Sequence, residues 1–121
     1  MYINGFVVPV PEGKKAEYKD IAEKFWEIAK DYGAVEHVEA WEVDVKDGET
    51  TDFRTAVKAE AGEKIVFSWV LFPDKATADA SHDKFMADPR MEAIGTEMPF
   101  DGKRMIYAGF EPLVWKGRTD A

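Results

Sequence analysis

The run Ile65-Val66-Phe67-Ser68-Trp69-Val70-Leu71-Phe72, closed by Pro73-Asp74, constrains this chain more than any other stretch. It holds one polar residue among β-branched and aromatic side chains and is stopped by a turn dipeptide, so it reads as a strand apolar on both faces. Ile65, Phe67, Trp69 and Leu71 point one way; Val66, Ser68, Val70 and Phe72 point the other. Both faces need cover, and the rest of the chain is ordered by what it supplies to each.

A first strand is expected over residues 2–10, with Pro9 weakening or bulging its far end because proline has no amide donor. Pro11-Glu12-Gly13 turns the chain into its clearest helix, 14–32. There Tyr18, Ile21, Ala22, Phe25, Ala29 and Tyr32 make one buried stripe at three-four spacing. Asp20 and Lys24 add an exposed pair, and Gly33 stands where a left-handed terminating residue belongs. A second strand, 36–45, places His37, Glu39, Trp41, Val43 and Val45 on one face. Asp47-Gly48 opens a longer connection in which Thr51 or Asp52 caps a short helix through Phe53, Ala56 and Val57.

Asp74 caps a helix over 75–87 whose thin stripe, Ala78, His82, Phe85 and Met86, is directed at the sheet or its margin. Asp88-Pro89 starts another short helix towards Ile94. Gly95, Pro99 and Asp101-Gly102 punctuate a loop, with Gly102 supplying a positive φ, before a last strand over 103–110. Residues 1–112 read as one domain and 113–121 as a tail anchored by Leu113, Val114 and Trp115.

At 121 residues the chain is long enough for one domain with a genuine core. No apolar run approaches a membrane span, and no basic region followed by an apolar stretch opens the chain. The absence of cysteine rules out disulfides, thiolate metal sites and a cysteine nucleophile, and fits a cytoplasmic setting. A net charge of −8 without a basic patch argues against nucleic acid and anionic membranes as partners.

The element order, strand-helix-strand-strand-helix-strand, is the α+β ferredoxin-like β-α-β-β-α-β arrangement, an antiparallel sheet with two helices on one face. Two helices cover one face only. The economical cover for the other is the sheet of a second copy, which gives a homodimer; the alternative is the 47–63 connection or the tail folding over it.

Four ordered motifs carry a family likeness: Thr51-Asp52-Phe53-Arg54, Val66-Phe67-Ser68-Trp69, Asp88-Pro89-Arg90-Met91 and Met98-Pro99-Phe100-Asp101-Gly102-Lys103-Arg104-Met105. With Asn4-Gly5-Phe6-Val7 and Gly109-Phe110 at the ends, the chain resembles the YbaA-like family of small bacterial proteins. One departure is Ala108, where the pattern has glycine. The resemblance implies the dimeric α/β-barrel fold and supplies no activity. The wider superfamily includes cofactor-free monooxygenases, isomerases and plain ligand-binding modules, so the fold offers a menu of functions without choosing among them.

Candidate chemistry is sparse. His37 and Glu39 lie two apart on a strand and share a face with Trp41, which makes them candidates for acid–base work. His82 is a third candidate for proton transfer. A metal is not expected, because the chain has only two histidines. Arg54 is a candidate anion clamp, or pairs with Asp52, Glu60 or an acidic group of a second subunit. Arg90 and Arg104 are open as anion contacts or inter-subunit pairs. Ser68 lacks the partners of a nucleophile and is read as a hydrogen-bonding group, while Trp41 and Trp69 are core residues that can line a pocket. No phosphate loop, dinucleotide fingerprint or haem attachment motif is present, so no cofactor is expected. The functional readings are a small-molecule-binding protein, a cofactor-independent enzyme acting on a small acidic or aromatic metabolite, and a structural or regulatory partner protein.

Overall fold

A computed structural model describes residues 1–94 and 98–117. Gly95, expected to break the chain, and residues 118–121 of the expected tail lie outside the described residues. The elements are β1 (Tyr2–Pro11), α1 (Lys15–Ala29), β2 (Glu36–Trp41), α2 (Phe53–Ala56), β3 (Glu63–Phe72), α3 (Lys75–Ala87), α4 (Met91–Ile94) and β4 (Ile106–Phe110). The sheet order is β2-β3-β1-β4 and every pairing is antiparallel. This is the ferredoxin-like architecture expected from the sequence.

The doubly apolar run is the interior strand β3, paired with β1 from Tyr2↔Phe72 to Pro11↔Glu63 and with β2 from Glu36↔Leu71 to Trp41↔Val66. Pro9 does not interrupt the first of these pairings. The pairing with β4 stops at Val7, so Pro9 falls where that side of β1 is already an edge and no donor is required.

Val66, Ser68, Val70 and Phe72 are buried on one face. Ala29 of α1 and Ala78 of α3 pack on Val70 and Phe72 with Phe25 and Trp26 alongside, while Val8, Val10 and Val66 form a second cluster against Tyr18, Trp41, Phe100 and Met105. Both long helices therefore cover this face. Asp52 and Asp74 cap α2 and α3 by accepting from the amides of Thr55 and Thr77, each at 2.7 Å. Gly33 ends the first helical segment at φ +106°, and a Cβ there would stand 2.5 Å from Thr77 Cγ2, so glycine also admits the close approach of α3.

The opposite face is covered at one end. Phe53 of α2 packs edge-on to Phe67, with ring centroids 6.0 Å apart, and Val57 and Ile65 are buried. Phe67 is still 47% exposed there, and Ile106 and Phe110 on β4 are 44% and 57% exposed. The connection thus covers part of this face and leaves an apolar remainder.

Four local expectations are corrected. The second strand ends at Trp41 and Val43 is 96% exposed, because the Ile65 amide donates to the Glu42 carboxylate (2.7 Å) instead of a continuing strand carbonyl. The last strand begins at Ile106, since Asp101 binds the amide of Lys103 and holds the chain in a turn. Gly102 does not adopt a positive φ, which occurs instead at Gly62, ahead of β3. In the tail Leu113 and Val114 are exposed, and Trp115 alone of the three expected anchors is partly buried.

Arg104 fastens the start of β4 to the start of β3 through a two-pronged pair with nearly buried Glu63, at 2.6 and 2.7 Å. These bonds hold the Glu63 carboxyl below its ordinary value of 4.5 against the opposing effect of desolvation. A carboxylate depressed on folding adds stability above its unfolded pKa and loses it as pH falls through the folded one. Glu63→Gln is therefore expected to lower Tm at pH 7, with the gap to wild type closing as pH falls below about 4.5. A gap that stays constant across that range would show that the charge contributes nothing.

Candidate functional site

Register sets the site. Glu39 on β2 stands opposite Ser68 on β3, and His37 stands opposite Val70, so all four point to the helix-covered face. The α1 stripe brings Tyr18 above them. The Tyr18 hydroxyl donates to Glu39 Oε1 at 2.5 Å, and the Ser68 hydroxyl donates to Glu39 Oε2 at 2.7 Å. His37 Nε2 lies 2.5 Å from the same Oε2. An ionised carboxylate only accepts, so Nε2 carries the proton in this contact. The His37 ring is packed edge-on to Phe25 (5.1 Å) and stacked on Trp26 (6.4 Å), which fixes its plane.

Burial pushes the Glu39 carboxyl up, but the bonds from His37, Tyr18 and Ser68 together outweigh it and hold the group below 4.5. Tyr18 moves the opposite way: burial, then the Glu39 charge and hydrogen bond, raise its hydroxyl well above the ordinary tyrosine value. At neutral pH the pair is a carboxylate and a firmly protonated phenol.

Two hollows meet at this cluster. An inner cavity of about 240 Å³ lies between sheet and helices, walled by Phe6, Phe25, Val70, Phe85, Ile94 and Phe100 among others. An open groove of about 1180 Å³ runs between α1 and the edge strand β2, flanked by Trp26 and Trp41. Tyr18, Ala22, His37 and Glu39 line both, so they form the partition between the two. The groove is larger; the inner cavity, itself partly open to solvent, has the more apolar wall beside the carboxylate.

The other expected site residues are placed elsewhere. His82 is on the exposed side of α3 and lines neither hollow; the buried positions of that helix are Ala78 and Ser81, so its stripe is rotated from the expected one. Trp69 lies on the far face of the sheet, its indole nitrogen donating to Glu36 at 3.3 Å. Trp41 flanks the groove with Lys15 over its ring at 5.1 Å. Arg54 pairs with Glu42, a partner not foreseen, and donates to the Glu63 carbonyl. Arg90 is bound by Asp31 and Asp88, tying the start of α4 to α1, and Arg104 by Glu63 and Asp101. Each of these three arginines is thus paired with acidic groups of its own chain. Among the described residues no group of three or more His, Asp or Glu is arranged to hold a metal. Tyr18 is the site residue that sequence reasoning missed: its one signal is a hydroxyl inside the apolar stripe of the long helix.

Because the Tyr18 bond lowers the Glu39 pKa, Tyr18→Phe leaves burial less opposed. The Glu39 pKa is expected to rise in a carboxyl ¹³C NMR titration; an unchanged value would show that Tyr18 does not hold the charged form.

Comparison with known proteins follows the same line. Residues 1–102 match the family described as "Protein of unknown function (DUF1428)". The uncharacterized protein YbaA of Escherichia coli (strain K12) is 53% identical over 113 residues, covering 93% of this chain and 97% of that protein. The Shigella flexneri protein of the same description matches to the same extent. Among solved structures, an uncharacterized NIPSNAP domain protein from Burkholderia xenovorans superposes with TM-score 0.59 at 16% identity, covering 98% of this chain and 100% of that one. A dimeric ferredoxin-like protein from an uncultured marine organism gives 0.53 at 9% identity, with the same coverage. At such identities the structural likeness is one of fold alone. The sequence match, spanning nearly the whole chain, makes this chain a member of the DUF1428 family, the YbaA-like proteins.

Proposed function

We propose that this chain is a small-molecule-binding protein acting as a cytoplasmic homodimer, with residues 1–112 as the binding unit and 113–121 as a tail. The observation that carries the reading is an ionised carboxylate, held by three donors, at the wall of an apolar cavity of about 240 Å³. Apolar cavities of about 150 Å³ take up benzene, so there is room here for a ring with a short substituent. Apolar walls favour uptake, and the few polar groups orient the guest. The lowered Glu39 pKa favours an anchoring role over proton shuttling, since a general base works best when poised near the operating pH.

A second reading, a cofactor-independent enzyme, is favoured by one feature. Glu39 holds His37 by Nε2, the geometry in which a carboxylate orients an imidazole and leaves Nδ1 as the basic atom. Turnover of a bound compound that survives His37→Gln would remove it.

The dimer reading is supported by the uncovered apolar face, where each large side chain left wet forfeits roughly 1.5–3 kcal/mol, and by the marine neighbour described as dimeric. The acidic charge disfavours nucleic acid and anionic membrane partners, and among the described residues no helix is long and apolar enough to cross a membrane.

Toluene is expected to shift the methyl NMR signals of Val70 and Ile94 saturably, and Ala22→Phe, which fills the cavity, to abolish the response. Unshifted signals in the wild-type protein would remove the cavity as a binding site. Native mass spectrometry is expected to return a dimer that Phe67→Lys converts to monomer; a monomeric wild type would end the interface reading.

A further inference from the structure

We propose that the inner cavity selects a cationic guest: a primary ammonium carried on a compact apolar or aromatic group, its N–H donating to Glu39 Oε1. The proposal rests on the binding reading above and names the chemical class that reading leaves open.

The first argument is hydrogen-bond arithmetic at one carboxylate. Glu39 offers about four acceptor positions, two on each oxygen. Oε2 uses both, for His37 and Ser68, while Oε1 uses one, for Tyr18. One position on Oε1 is left for a donor, and a charged N–H is the strongest donor to a carboxylate.

The second argument concerns which cations are already present. No lysine or arginine lines the inner cavity among the described residues. Arg54, Arg90 and Arg104, the anion contacts expected from the sequence, are held by Glu42, by Asp31 and Asp88, and by Glu63 and Asp101. Among the described residues His37 is the one basic side chain on the cavity wall, and its Nε2 proton is committed to Glu39. A carboxylate guest would lie against a largely apolar wall beside an ionised glutamate, with no lysine or arginine among the described lining residues to receive it, so it would lose hydration without gaining a partner. An acidic metabolite, expected from the sequence as one substrate class, therefore does not fit this cavity.

The third argument is the wall. Phe6, Phe25, Phe85 and Phe100 line it, and Tyr18 tilts against Phe100 at 5.7 Å between centroids. Aromatic faces attract ammonium groups and repel anions. In the groove outside, Glu23 pairs with Lys19, Glu27 pairs with Lys30, and Lys15 is drawn over Trp41.

The test uses three probes of similar shape, 2-phenylethylamine, 2-phenylethanol and 3-phenylpropanoic acid, titrated by calorimetry at pH 7 with the Val70 and Ile94 methyl signals reporting entry. The amine is expected to bind about tenfold tighter than the alcohol, as fits a hydrogen bond to a charged group, and the acid weakest of the three. Glu39→Gln is expected to erase the amine's advantage while the alcohol still binds. Should that variant not fold, the wild-type ranking stands as the test by itself. Acid binding at or above the amine, or an amine advantage that survives in folded Glu39→Gln, overturns the proposal. Binding of the alcohol without the amine overturns it while leaving the cavity reading intact. No response to any of the three overturns both.

Discussion

Everything in this fold depends on one strand being apolar on both sides while sitting inside the sheet. β3 is paired along both edges, so its backbone groups are satisfied and its side chains alone decide what must cover it. The face with Val66, Val70 and Phe72 takes α1 and α3, and the face with Phe67 takes α2 over one end. The same strand places Ser68, the lone polar residue of its 65–72 run, opposite Glu39 on β2. A hydroxyl in an otherwise apolar strand is the local mark of a buried carboxylate next door.

The charged residues divide into two populations with different work. The arginines and their acidic partners lie around the rim, where they fasten loops to strands: Arg54 to Glu42, Arg90 to the end of α1, Arg104 to the start of β3. Glu39 is different. Its neighbours are neutral donors and a histidine, so its charge is stabilised by hydrogen bonds and is not cancelled by an arginine or lysine. A charge solvated by protein dipoles inside an apolar cavity remains available to an entering partner.

The partition formed by Tyr18, Ala22, His37 and Glu39 links the two hollows physically. Tyr18 and Ala22 come from α1, His37 and Glu39 from the edge strand β2. An edge strand has a neighbour on one side only, and on its other side the groove reaches the site directly. The site therefore stands where the sheet ends and α1 lies over its edge, next to the groove.

Much of this was legible in the chain by itself, and the reason is locality. Periodicity over a few residues identified β3, α1 and the caps Asp52 and Asp74, because each depends on neighbours within one turn or one strand. Two-residue spacing likewise put His37 and Glu39 on one face. What the tertiary structure decided involves partners far apart in sequence: Tyr18 with Glu39, Arg104 with Glu63, Arg90 with Asp31. The end of β2 belongs here too, set by a Glu42 side chain that replaces a backbone carbonyl. His82 marks the same boundary, since a stripe as weak as that of α3 does not specify its rotation, and the burial of Ala78 and Ser81 in the packed fold did. Local pattern determines which elements form and which face each turns inward when the pattern is strong. Which distant polar groups then meet depends on register and helix placement, which are properties of the packed whole.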